Sequence, residues 1–213
     1  MKSWFLNSQH QPSPRDVRIA NSCQFQIRTA TSADLPSIAQ IIAESFHSQT
    51  GLWGWAFPLF RLGIFEDLRY RFTTTKPDQI FLVAVDTSKG GGNKILATVE
   101  MSVRLSDSWV NIRKCFPYLS NLAVHPMYRR YGLGSSLLIR CEQVCKDWDF
   151  EDLYLHVLDN NHQAKQLYFK MGYQVEKVES CWDSFLFHNS RQILLHKHIS
   201  AKPHVAADIT RGC

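Results

Sequence analysis

The stretch "YLSNLAVHPMYRRYGLGSSLL", Tyr118 to Leu138, decides how this chain is read. "YLSNLAV" has the apolar content of a central strand. "SSLLIRCEQVCKDW" follows with Leu137, Leu138, Cys141 and Val144 at helical spacing, so they share a buried side. Between strand and helix lie Arg129, Arg130, Gly132 and Gly134. A helix start presents backbone N–H groups without intrahelical partners, and its dipole favours negative charge. Gly132 and Gly134 carry no Cβ, so a pyrophosphate would approach the backbone closely, and the arginines would add charge-assisted hydrogen bonds. Taken alone, a structural turn with two solvated arginines explains the loop equally well. Two familiar phosphate loops are disfavoured. No lysine follows Gly134, as a Walker loop requires, and Leu137 stands where a dinucleotide fingerprint has its third glycine.

Outward from the loop, the elements alternate. "FQIRTA" (Phe25 to Ala30) reads as a first strand, and "TSADLPSIAQIIAESF" as a helix. Thr31 and Asp34 resemble a capping box, and Leu35, Ile38, Ala39, Ile42 and Phe46 form one face. A second helix is expected after Pro58, its aromatics in the core, with a groove wall as the other reading for some of them. Ile80 to Val85 and Ile95 to Val103 read as strands joined by a flexible turn at Gly90 to Gly92. Leu105 to Pro117 reads as a looser segment. "DLYLHVL" is a strand, and "NHQAKQLYFKM" is a short helix closed by Gly172 at C′. "YQVEKVES" and "RQILLHKHI" are final strands. The expected domain is residues 25–199, with a flexible tail at 1–24 and another at 200–213.

Composition narrows the class. Hydrophobic residues make up 45% of the 213, enough for one well-buried domain. No apolar run reaches the roughly 20 residues of a membrane-spanning helix, so no membrane partner is expected. A net charge of +5 suits an anionic ligand but falls short of a nucleic-acid stripe. The cysteines Cys23, Cys115, Cys141, Cys145, Cys181 and Cys213 lack paired CxxC spacing, so free thiols in a reducing compartment are expected, and no metal. The cytoplasm is the expected location, with the plastid stroma as alternative. The first acidic residue is Asp16; a plain tail is read before it, and a transit-like segment is the other reading.

"RRYGLG" (Arg129 to Gly134) matches the R/Q-x-x-G-x-G/A pattern of the GNAT acetyltransferase superfamily, and "NNHQAKQLYFKMGY" is similar to its next motif. The element order agrees from Phe25 to Ile199. The resemblance implies an α/β, single-domain GNAT-like mixed sheet of about seven strands. Helices would cover both faces, and a V-shaped splay would separate the two central parallel strands near Leu122 and His156. Acetyl-CoA would occupy the splay as co-substrate. Leu122, Ala123 and Val124 would pair with its pantetheine, and the backbone of Arg130, Tyr131, Gly132, Leu133, Gly134 and Ser135, with Arg129, would hold its pyrophosphate. Asn161 would contact pantetheine, cap a helix, or both.

Within that superfamily the chain resembles N-terminal protein acetyltransferases, of ribosomal-protein-alanine type and of plastid and cyanobacterial type. "YLHVLDNNHQAKQLYFKMGY" is similar to eukaryotic catalytic subunits that pair a strand tyrosine with a histidine, here Tyr118 and His156. The acceptor would be a protein or peptide amine, an N-terminal α-amine and also lysine. Small-molecule amines and a non-catalytic acetyl-CoA-binding role are the alternatives. The long segments at Gly51 to Phe72 and Leu105 to Pro117, and the missing tyrosine pair in "ESCWDSFLF", depart from the pattern. Whether the chain is a monomer or dimer is not written in the sequence.

Amine acetylation needs a neutral nucleophile, and amines with pKa values of about 8 (α) or about 10.4 (lysine) are mostly protonated near pH 7. His156 is the candidate base, against a core histidine. Tyr118 would position water or share the relay, against a packing role. Tyr168 would donate to the departing thiolate, against packing on its helix. Glu100 is an alternative base, against an exposed strand carboxylate. His196 and His198 are expected to face solvent.

Overall fold

The structure is a computed structural model describing residues 24–46, 57–74, 78–88, 93–105, 115–179 and 191–199. The glycine turn at Gly90 to Gly92, Ser180 to Phe187 of "ESCWDSFLF", residues 1–23 of the expected tail 1–24 and the whole expected tail 200–213 lie outside the described residues.

β1 (Phe25–Thr29) leads through a short 3-10 turn into α1 (Leu35–Phe46). The turn is fixed by Asp34, whose carboxylate accepts the Thr31 N–H at 2.7 Å and the Thr31 hydroxyl at 3.0 Å. α2 (Phe57–Thr73), β2 (Gln79–Asp86) and β3 (Ile95–Leu105) follow. β4 (Cys115–Val124) begins three residues before the expected strand, because its first residues pair with the end of β3. α3 (Leu133–Asp147) begins at the loop's own Leu133. β5 (Asp152–Leu158), α4 (His162–Lys170), β6 (Gln174–Glu179) and β7 (Gln192–His198) complete the order.

The seven strands form one mixed sheet in the order β1-β2-β3-β4-β5-β7-β6. Strand alternation gives each face its own apolar set. Leu82, Met101, Leu119, Leu155 and Leu195 meet Leu137, Leu138 and Cys141 of α3 on one face. Phe81, Val83 and Val85 meet Ile38 and Ile42 of α1 and Leu68 of α2 on the other. Helices therefore cover both faces.

α2 departs from expectation. Leu68 is its only buried residue, while Phe60 and Tyr70 are exposed and Phe57, Phe65 and Phe72 are half-buried. The expectation holds only in part: Phe65 and Phe72 pack against the α1 cluster, Phe72 with its ring centroid 5.6 Å from that of Phe81, while Phe60 and Tyr70 lie on the outer side of the helix. Cys141 and Cys145 are buried free thiols as expected. Cys115 is disulfide-bonded instead.

Candidate active site

β4 and β5 run parallel but pair at only two positions, Tyr118 with Tyr154 and Leu119 with Leu155. β4 continues to Val124 and β5 to Leu158 without further pairing among the described residues. The parting coincides with a β-bulge. Glu100 pairs with Ser120 and Thr98 with Ala123, so Asn121 and Leu122 together oppose Val99. Asn121 adopts φ 54°, a left-handed conformation that asparagine tolerates better than most residues. A bulge bends its strand and increases its twist, which turns β4 away from β5 at this point.

Tyr118 and His156 stand on the same sheet face where the strands are about to part. The Tyr118 hydroxyl lies 2.8 Å from His156 Nδ1. Tyr118 is 8% exposed and His156 half-buried. The Arg104 guanidinium lies over the Tyr118 ring, 3.5 Å from its centroid, in a cation–π contact. Phe116 meets Tyr154 edge-on at 5.3 Å on the same face.

Tyr168 reaches the opposite face from α4. It is 7% exposed and meets Tyr173 edge-on at 5.8 Å. Burial raises its hydroxyl pKa well above the usual tyrosine range, and nearby Tyr118 and Cys141 add to this. The phenol therefore keeps its proton at any ordinary pH and remains a hydrogen-bond donor.

The loop is built on two glycines with different tasks. Gly132 has φ 83°, which an L side chain rarely adopts. Gly134 is required by packing: a Cβ there would lie 2.9 Å from Leu167 Cδ2 of α4. Arg130 is also left-handed at φ 69° and exposed. The first helical bond of α3 runs from Ser136 N–H to Gly132 C=O at 3.0 Å, so the N–H groups of 132–135 have no intrahelical acceptor. Leu133 itself is buried at 1%, which leaves its backbone as the part facing the loop. Tyr131 is exposed and Ser135 half-buried. Arg129 folds back, its Nε donating to the Val124 carbonyl at 3.4 Å. Ala123 is buried in the α1 cluster, while Leu122 and Val124 border the α3 cluster. Asn161 caps α4, accepting the Ala164 N–H at 3.1 Å.

Two expectations are overturned here. Glu100 is not an exposed carboxylate. It is 2% exposed, because Arg71 Nη1 (2.6 Å), Gln79 Nε2 (2.8 Å) and Asn121 Nδ2 (2.8 Å) all donate to it. His196 is half-buried, whereas His198 is exposed as expected. His196 stacks on Tyr154 at 4.8 Å, and its Nε2 lies 2.8 Å from Asp152 Oδ1; His198 lies 3.0 Å from the same oxygen. Burial opposes ionisation of Asp152, but these two histidines outweigh it and lower its pKa.

A strand–loop–helix with bare N–H groups, set beside two parting parallel strands, is an arrangement shared with known proteins. Residues 36–173 match the acetyltransferase (GNAT) family model. The chain belongs to that family. It is an N-acetyltransferase, and acetyl-CoA is its co-substrate. "GCN5-related N-acetyltransferase 10, chloroplastic" of Arabidopsis thaliana is 27% identical over 178 residues, covering 78% of this chain and 68% of that protein. N-alpha-acetyltransferase 50 of Danio rerio is 36% identical over 59 residues, 27% of this chain and 35% of that one. Among solved structures, Arabidopsis thaliana NAA60 with a bisubstrate analogue superposes at a TM-score of 0.62 with 18% identity. That likeness, over 84% of this chain and 99% of that one, concerns the fold.

Among the described residues of this GNAT chain, no three His, Cys, Asp or Glu side chains are arranged to hold a metal. No described helix is long and apolar enough to cross a membrane. Sequence reasoning did not single out Arg104 or Asn121. Asparagine inside the apolar run "YLSNLAV" was a readable sign of a bulge, since it favours left-handed turns over strands. Arg104 carried no local sign, because its partner Tyr118 is 14 positions on in sequence.

Proposed function

We propose that the chain transfers acetyl from acetyl-CoA to a protein amine, an N-terminal α-amine foremost and lysine second. The Tyr118–His156 contact at 2.8 Å, at the mouth of the strand opening, carries this reading. In it the amine attacks the thioester directly, in a ternary complex. The amine loses its proton to the Tyr118 oxygen as the Tyr118 proton passes to His156 Nδ1. The thiolate of coenzyme A leaves as the carbonyl reforms, its developing charge stabilised by a hydrogen bond donated by the Tyr168 phenol. Backbone amides near Val124 stabilise the intervening oxyanion. The free edge of β4 at Leu122 to Val124 receives the pantetheine, with Asn161 beside it. The loop Arg129–Ser135 receives the pyrophosphate. Residues 25–199 form the catalytic domain.

A peptide acceptor is supported by the N-alpha-acetyltransferase among the relatives. It is also supported by Arg104, whose charge beside Tyr118 repels polycationic small amines. The chloroplastic relative supports the plastid stroma as the location. The test is incubation with acetyl-CoA and a peptide library, followed by mass spectrometry of α- and ε-acetylation. The expected result is acetylated peptide with matching thiol release. Tight acetyl-CoA binding without thiol release on any peptide contradicts the reading.

A further inference from the structure

The bulge that parts β4 from β5 is tied to a helix on the other side of β3. Asn121 Nδ2 donates to Glu100 Oε2 at 2.8 Å, and Arg71 Nη1 of α2 donates to the same oxygen at 2.6 Å. Gln79 of β2 fills the other carboxylate oxygen at 2.8 Å. Arg71 also pairs with Asp67 one helical turn earlier. Three strands and a helix thus converge on one buried carboxylate. Burying a carboxylate to 2% exposure is costly unless its oxygens are hydrogen-bonded, as both are here. Here the donors are also the structural clients. Asn121 sits at the bulge itself with φ 54°, and α2 otherwise buries only Leu68.

We propose that the Asn121–Glu100–Arg71 chain positions the acetyl-CoA strand. It holds the bulge in the conformation that frees the β4 edge, and it couples that edge to α2. The proposal rests on the reading of the opening as the pantetheine site. Asn121, Glu100 and Arg71 act through the β4 backbone and are positioning residues.

The test separates conformation from anchoring. Asn121→Gly retains access to positive φ but loses the amide that reaches Glu100. Glu100→Gln keeps an acceptor for Asn121, with the Gln79 amide free to turn and present its oxygen. Binding is measured for two probes by calorimetry on the full chain: acetyl-CoA, and adenosine 3′,5′-bisphosphate, which lacks pantetheine. Asn121→Gly is expected to weaken acetyl-CoA about tenfold, as loss of a charge-assisted bond does, and leave the nucleotide within about twofold. Glu100→Gln is expected to stay within about threefold for both. Equal loss of both probes in Asn121→Gly shows general damage and overturns the proposal, as does unchanged acetyl-CoA affinity. If Asn121→Gly fails to fold, Arg71→Met takes its place with the same two probes, and the same outcomes decide. A wild-type chain that binds neither probe sinks the site reading itself, which is a different failure.

Discussion

Asp34 shows how one side chain sets both a turn and a pH response. The Arg28 guanidinium, bonded at 2.6 and 3.0 Å, holds its carboxyl down to about 2 against the opposing effect of burial, with Thr31 assisting. A lowered folded pKa means the ionised form stabilises the fold. That stabilisation is complete above the unfolded value near 4 and disappears as pH falls through about 2. Arg28 is partly solvated, so about 1–2 kcal/mol is expected. Denaturant melts should show Asp34→Asn less stable than wild type at pH 5 and nearly equal at pH 2; an equal gap at both values contradicts this. Tyr168→Phe removes the phenolic proton without removing the ring. Its kcat should fall about tenfold to a hundredfold while acetyl-CoA affinity holds, as steady-state kinetics will show. Arg104→Glu reverses a charge beside Tyr118. Competition between peptides with acidic and basic second residues should then shift about fivefold toward the basic one, the worth of a surface charge pair. Tyr118, His156 and Tyr168 were readable as candidates because motif spacing places them. Glu100 and His196 were misread because their partners, Arg71 and Asp152, lie 29 and 44 positions away in sequence.

At the scale of elements, the strands and helices announced themselves by period, and their ends did not. β4 starts at Cys115 because β3 reaches far enough to pair with it, a tertiary fact invisible to local alternation. Phe60 and Tyr70 of α2 share the ring content of Phe65 and Phe72 but lie on the outer side, because local sequence does not specify which side of this helix packs inward. That exposure makes α2 improvable. Gly63 lies mid-helix, and an added Cβ meets nothing within 4 Å. Gly63→Ala should stabilise the fold by about 0.5–1 kcal/mol, read as a rise of a few degrees in Tm. Gly132→Ala is the opposite case, since φ 83° strains any Cβ. It should cost about 1–2 kcal/mol and weaken acetyl-CoA binding, both measurable by thermal shift with and without acetyl-CoA.

The molecule as a whole is a sheet divided at one seam. β1 to β4 lie on one side, β5, β7 and β6 on the other, and among the described residues two strand pairs join the halves at β4 and β5. The Tyr118–His156 contact bridges that seam, so the proposed catalytic pair depends on the arrangement of both halves. The alternation of elements made the mixed α/β sheet legible in the sequence, and the family resemblance implied its division. The seam's cause, the bulge at Asn121, shows locally only as an asparagine in an apolar run, and its effect on pairing does not, because register is fixed between strands and not within one. The proposed Tyr118–His156 relay is tested most directly by the rate of peptide acetylation by His156→Ala, Tyr118→Phe and the double variant across about pH 6 to 9. Each single change should lower kcat at least about a hundredfold, and the double variant should lose little more, as expected of one relay. Full wild-type rate in His156→Ala over that range would remove the pair from the mechanism.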